Sequence, residues 1–69
     1  MRTPETMRFE AAMTTDEAFR KQFNQTVQVI ADSGEYEDNF MIMAKACQKL
    51  GYKISRDDVY ECAIEDGII

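Results

Sequence analysis

The stretch Phe40–Glu65 constrains the fold of this 69-residue chain most strongly, because it reads as two helices joined by a short turn. Its first half carries apolar residues three and four positions apart, which places them on one helical face. These residues are Phe40, Met43, Ala44, Cys47 and Leu50. Gly51 follows at the position where a left-handed residue commonly ends a helix. The first helix of the pair is therefore predicted to end near Leu50.

The second helix of the pair has a marked start. Ser55 is a favourable N-cap, and Asp58 lies three residues later, where an acidic side chain meets free backbone N–H groups. Ile54 and Val59 have the spacing of a hydrophobic staple across this start. These signals together predict a helix over Ser55–Asp66.

The clearest amphipathic stripe lies upstream of this pair and predicts a longer helix. Its apolar residues are Phe19, Phe23, Val27 and Ile30. Thr14 or Thr15 is the expected N-cap, and Gly34 is the expected C-terminal stop. The helix is predicted over Thr15–Ser33, and an acidic connector leads from it into a helix over Tyr36–Leu50.

The N-terminal segment gives a weaker pattern. Thr3, Pro4 and Glu5 form a helix start, with an N-cap, a proline at the first helical position and an acid in the first turn. A short helix to about Ala12 is one interpretation. Because the following apolar residues do not define one stripe, an arm over residues 1–13 beside a compact part over 14–66 is the other.

The predicted fold is all-α: a single small bundle of three main helices with an optional short N-terminal helix. A chain of this length makes one domain, and its core rarely supplies more than roughly 3–5 kcal/mol of net stability without staples or partners. The expected core residues are Phe19, Phe23, Val27, Ile30, Phe40, Met43, Ala44, Cys47, Leu50, Ile54, Val59, Cys62 and Ala63.

The acidic balance of the chain limits its partners. The formal net charge is −5, and the acid is concentrated after Tyr52. Nucleic acid and anionic membrane both require basic surface, so neither is an expected partner. The sequence has no apolar run of membrane-spanning length and no secretory signal, so we expect a cytoplasmic chain.

The residue types for catalysis and metal binding are scarce. The chain has no histidine, no cysteine–histidine pair and no glycine-rich phosphate loop, so we expect no enzyme activity, no metal and no cofactor. Cys47 and Cys62 occupy apolar-face positions, where a reduced thiol packs as a small hydrophobe. A disulfide across the helical pair is the alternative.

A helix-turn-helix that binds DNA is one functional interpretation of the pair. The run from Ile54 to Tyr60 is similar to the start of a recognition helix. That helix, however, would present Asp57, Asp58 and Glu61 against Arg56 alone, and phosphate would repel it.

A second interpretation covers about two thirds of the chain. A phenylalanine-centred first helix is followed by a run similar to A-K-x-x-G-[FY]-x-[IFL]-[ST]-x-[DE]-[DE]-[LV]. The matching positions are Ala44, Lys45, Gly51, Tyr52, Ile54, Ser55, Asp57, Asp58 and Val59. This pattern resembles the Nif-eleven-like leader domain of ribosomally synthesised, post-translationally modified peptide precursors. The segment between Lys45 and Gly51 is longer than in the common form of that family, and no Gly-Gly cleavage site follows Asp58.

The resemblance implies a non-catalytic domain that docks peptide-modifying enzymes. The alternative is a small acidic inhibitor, of the kind made by phages or mobile elements, that occupies a basic nucleic-acid-binding protein such as a nuclease. A homodimer is compatible with either, and Ile68 and Ile69 could cover the core or contact a partner. Because the turn is fixed by its caps, a partner would meet a pre-ordered edge there. The predicted partner-binding residues are Tyr52, Lys53, Arg56, Asp57 and Tyr60.

Overall fold

The structure is a computed structural model that describes residues 3–66, and this part of the chain folds into four helices without a strand. The helices are α1 (Pro4–Thr15), α2 (Glu17–Ser33), α3 (Asn39–Lys49) and α4 (Arg56–Asp66). This confirms the prediction of an all-α bundle with three main helices and a short N-terminal one. Within residues 3–66, no helix has the length and apolar character needed to cross a membrane. Ile68 and Ile69 lie outside the described residues.

The boundary between α1 and α2 differs from the prediction. Thr14 and Thr15 were expected to cap α2, but both donate their hydroxyls to the carbonyl of Ala11, at 3.1 and 2.6 Å. They therefore belong to the last turn of α1, which is longer than expected. The N-cap of α2 is Asp16, whose carboxylate accepts the backbone N–H of Phe19 at 3.1 Å.

The start of α3 also lies later than expected. The prediction began this helix at Tyr36, whereas the first helical residue is Asn39. Gly34 ends α2 in the left-handed conformation, with φ +74°, and the chain then runs without regular structure to Asp38. The carboxylate of Asp38 accepts the backbone N–H of Phe40 at 2.9 Å, so Asp38 caps the helix.

The start of α4 matches the sequence signals. The N–H of Ser55 donates to the carboxylate of Asp58 at 3.2 Å, and the N–H of Asp58 donates to the Ser55 hydroxyl at 3.3 Å. This reciprocal pair is a capping box with aspartate in the acidic position. Ile54 and Val59, predicted as a staple, are 1% and 0% exposed. Gly51 has φ +93°, as expected of the residue that ends the preceding helix.

The core lies between α3 and its two neighbours, α2 and α4, and α1 closes the bundle by contacting α2 and α4. Most predicted core residues are buried or packed against the core. The buried ones are Phe23, Ile30, Ala44, Cys47, Ile54, Val59 and Cys62. The partly buried ones packed against the core are Phe19, Val27, Phe40, Met43 and Leu50. Ala63 is also only partly buried.

Four core residues were not predicted. Phe9 and Met13 of α1 are 0% and 9% exposed, so α1 belongs to the core and is the helix, not the arm, of the two alternatives. Ile42 and Ala46 of α3 are 5% and 0% exposed. Because α3 packs against helices on two sides, its buried arc is wider than the single stripe on which the prediction relied.

Candidate functional site

The five residues predicted to bind a partner lie in two places. The turn before α4 carries Tyr52 and Lys53, and α4 itself carries Arg56, Asp57 and Tyr60. Tyr52 is held at the α1 side of the turn, where its ring meets Phe9 and Phe19 edge-on with centroids 6.0 and 5.5 Å away. The guanidinium of Arg8 lies 5.0 Å from the centre of the Tyr52 ring. Such aromatic and cation–π contacts stabilise the fold, so Tyr52 ties α1 and α2 to the turn before α4.

Lys53 contributes its backbone to the same junction. Its N–H donates to the Glu5 carboxylate at 3.2 Å, and the Arg8 guanidinium donates to the same carboxylate at 2.6 Å. The Lys53 hydrogen bond, followed by the Arg8 one, lowers the pKa of Glu5. Lys53 itself is exposed, so its ammonium group remains available to a partner.

Arg56 joins the starts of α3 and α4. Its guanidinium donates to the carboxylate of Asp38, the α3 N-cap, and lies 5.7 Å from the centre of the Phe40 ring. This hydrogen bond is the main reason that the pKa of Asp38 falls below its ordinary value. Arg56 is therefore occupied by a contact within the chain, although 41% of its side chain is exposed.

Three residues form an outward row along α4, which we call the α4 stripe: Asp57, Tyr60 and Ile64. They are three and four positions apart and so share one helical face. Tyr60 is 44% and Ile64 62% exposed, while 91% of the Asp57 side chain is exposed. The Tyr60 ring is braced by Phe40, with centroids 5.2 Å apart and planes at 78°. Ile64 was missed as a site residue, although its spacing from Tyr60 was visible in the sequence.

A groove lies between the C-terminal parts of α2 and α3 and encloses a volume of about 400 Å³. No sequence motif pointed to it. We call it the α2–α3 groove, and the residues that line it are Val29, Ile30, Ser33, Glu35, Tyr36, Lys45, Gln48 and Lys49. Its size lies within the range of roughly 300–1,000 Å³ typical of ligand sites.

The buried thiols do not form a reactive or metal-binding centre. Burial, and then the proximity of Cys62, raises the pKa of Cys47 to about 12, so the reactive thiolate is scarce at neutral pH. Cys62 is 2% exposed, and both cysteines are present as thiols, as predicted. Among the side chains that the structure describes, those of residues 3–64, no cluster of three or more His, Cys, Asp or Glu is able to hold a metal ion.

The exposed surfaces of the described residues thus include the apolar and acidic α4 stripe and the α2–α3 groove. Comparison of the sequence with protein-family models, curated proteins and solved structures returns no match.

Proposed function

We propose that this chain is a non-catalytic protein-binding domain that docks through the α4 stripe onto a basic partner. The observation that carries the proposal is the exposure of Tyr60 and Ile64 on one face of α4, beside the exposed carboxylate of Asp57. Large apolar side chains that are exposed singly are normal on a protein surface, whereas neighbouring ones form an apolar patch that a partner can cover.

The stripe is suited to docking because it is already ordered. Phe40 and the capping box fix the Tyr60 ring and the first turn of α4, so little conformational entropy is lost on binding. Tyrosine is also among the residues that contribute most to interfaces. Burying Ile64, which is 62% exposed, would contribute on the order of 1–2 kcal/mol.

The charge of the chain supports a basic partner. The net charge is −5, and the first turn of α4 carries Asp57 and Asp58. Opposite charges across an interface accelerate association and exclude wrong partners. A helix with this surface would be repelled by nucleic acid, and Arg56, its cation, is engaged by Asp38. Direct binding of DNA is therefore the least supported of the three interpretations.

Two classes of partner follow from the sequence. The resemblance to leader domains favours a peptide-modifying enzyme with a basic, apolar docking groove. The acidic surface favours a basic nucleic-acid-binding protein such as a nuclease, which the chain would inhibit by occupying its groove. We place the chain and its partner in the cytoplasm, where a reduced Cys47 is expected.

The experiment compares three immobilised proteins: the wild type, Ile64→Arg and the control Met7→Arg. Met7 is 56% exposed on α1 and so matches Ile64 in exposure and in the change made. The partner is first identified as a protein that both the wild type and the control Met7→Arg retain from an extract of the native host. Calorimetry with the purified partner should then show binding at least about tenfold weaker for Ile64→Arg, which corresponds to about 1.4 kcal/mol.

The activity of the bound partner separates the two classes of partner. A nuclease partner should lose activity in proportion to the complex formed, whereas a peptide-modifying enzyme should keep its active site open.

Binding should weaken as salt rises from about 0.1 M to about 1 M, because the Debye length falls from about 10 Å to about 3 Å. Equal affinity of the wild type and Ile64→Arg would refute the proposed docking surface.

A further inference from the structure

The α2–α3 groove is lined by two lysines, whereas the α4 stripe carries an aspartate. The wall of the groove includes Val29, which is 65% exposed, and the buried Ile30. Lys45 and Lys49 lie four residues apart on α3 and therefore extend from one face of that helix. Within residues 3–66 neither lysine takes part in an ion pair. The groove is thus an apolar depression lined by two lysines and one acid, Glu35, on a chain of net charge −5.

We propose that the α2–α3 groove binds the α4 stripe of a second copy of this chain. The stripe complements the groove: Tyr60 and Ile64 would pack against its apolar wall, and the carboxylate of Asp57 would pair with the lysines. This proposal rests on the proposed function, because the same side chains of the stripe would contact the basic partner and the second copy. It adds the α2–α3 groove as the site that binds these side chains.

The two surfaces are on different sides of one molecule. The groove lies between α2 and α3, whereas the stripe lies on α4, which packs against α3 and α1. The contact between copies is therefore heterologous. In a pair, the copy that supplies its stripe keeps a free groove, and the other copy keeps a free stripe. Such contacts continue into longer assemblies unless a ring closes. Self-association would occupy the stripe, so it would compete with binding of the basic partner.

The contact is small, so the association is weak. One helical row in one groove falls below the roughly 1,200 Å² of a stable interface. We expect association over a concentration range of about 10 µM to about 1 mM, measured by sedimentation velocity. The weight-average mass should rise with concentration, and added salt should lower it.

Three variants test the contact. Lys45→Gln/Lys49→Gln removes both cations without placing acids at the C-terminal end of α3, and should weaken association about tenfold. Val29→Glu alters the same groove through an exposed residue and should have the same effect. Ile64→Arg alters the stripe, and Met7→Arg is the matched control that should associate like the wild type. Circular dichroism verifies that each variant is folded.

A mixing experiment gives the sharpest result. The Lys45→Gln/Lys49→Gln variant keeps its stripe and the Ile64→Arg variant keeps its groove, so each alone should associate more weakly than the wild type. The mixture should form a 1:1 dimer with the affinity of the wild-type contact, and this dimer should grow no further. A wild type that is monomeric up to about 1 mM, groove variants that associate like the wild type, or a mixture without a dimer would overturn the proposal.

The Lys45→Gln/Lys49→Gln variant should still bind the basic partner. If it binds that partner while the wild type never self-associates, only this inference fails. If association follows the scheme but Ile64→Arg binds the partner normally, only the proposed function fails.

Discussion

The replacement Phe9→Ala should unfold the chain, because α1 is part of the core. Phe9 is completely buried, and its ring lies 5.2 to 6.0 Å from the rings of Phe23, Phe19 and Tyr52. Truncating a buried phenylalanine costs about 3–5 kcal/mol. The net stability of a domain of this size rarely exceeds roughly 3–5 kcal/mol. The expected loss is therefore as large as the whole stability of the fold.

The assay is urea unfolding followed by circular dichroism at 222 nm. Met7→Ala is the matched control on the same helix, because Met7 is 56% exposed and its truncation should change the free energy of unfolding by no more than about 0.5 kcal/mol. Phe9→Leu should lie between the two and leave a measurable transition. If Phe9→Ala kept the helicity and unfolding midpoint of the wild type, α1 would be dispensable and the account of the core would be wrong.

Three further predictions concern single contacts. The ion pair between Asp38 and Arg56 stabilises the folded chain above the ordinary pKa of Asp38, near 3.8, and this stabilisation is lost as the pH falls through the lowered pKa of the folded state. Asp38→Asn should therefore destabilise the chain at neutral pH and progressively less as the pH is lowered below 3.8, as measured by urea unfolding across this range; an effect that does not change with pH would contradict the assignment. Cys47 and Cys62 should react with a thiol reagent at pH 8 only after urea has unfolded the chain, and rapid modification of the native chain would show that the thiols are accessible. Gly51→Ala should lower the free energy of unfolding by about 1–2 kcal/mol, because φ is +93° there, and an unchanged urea midpoint would refute this.

The sequence signals that identified elements correctly are local ones. The stripe from Phe19 to Ile30, the left-handed Gly34 and the capping box at Ser55 each depend on residues within one or two turns of each other. Such signals are set by backbone geometry and survive in the tertiary structure. They were sufficient for the fold class and for α2 and α4 to within about two residues.

The features that were missed depend on contacts between distant residues. Phe9 is buried because α2 and the turn before α4 bring Phe19 and Tyr52 around it, and no periodicity within α1 reveals this. Arg56 is engaged by Asp38, which lies 18 positions earlier in the chain. Tyr52 and Arg56 therefore have internal roles that the sequence could not separate from a role in partner binding.

The predicted binding edge is accordingly divided by the fold. The side chains of Tyr52 and Arg56 are held within the chain, while Asp57 and Tyr60 face outward and continue into Ile64. Spacing along α4 was enough to find this continuation, but deciding which face of α4 is outward required knowing that Val59 packs into the core.

The most direct test of the central claim is an NMR titration of the isotope-labelled chain with the purified partner, followed through the backbone amide shifts. Docking through the α4 stripe predicts that the largest shifts lie between Asp57 and Ile64, and that the amides around Met7 remain unchanged. Largest shifts at Tyr52 and Lys53, with α4 unaffected, would contradict the account and place docking at the turn.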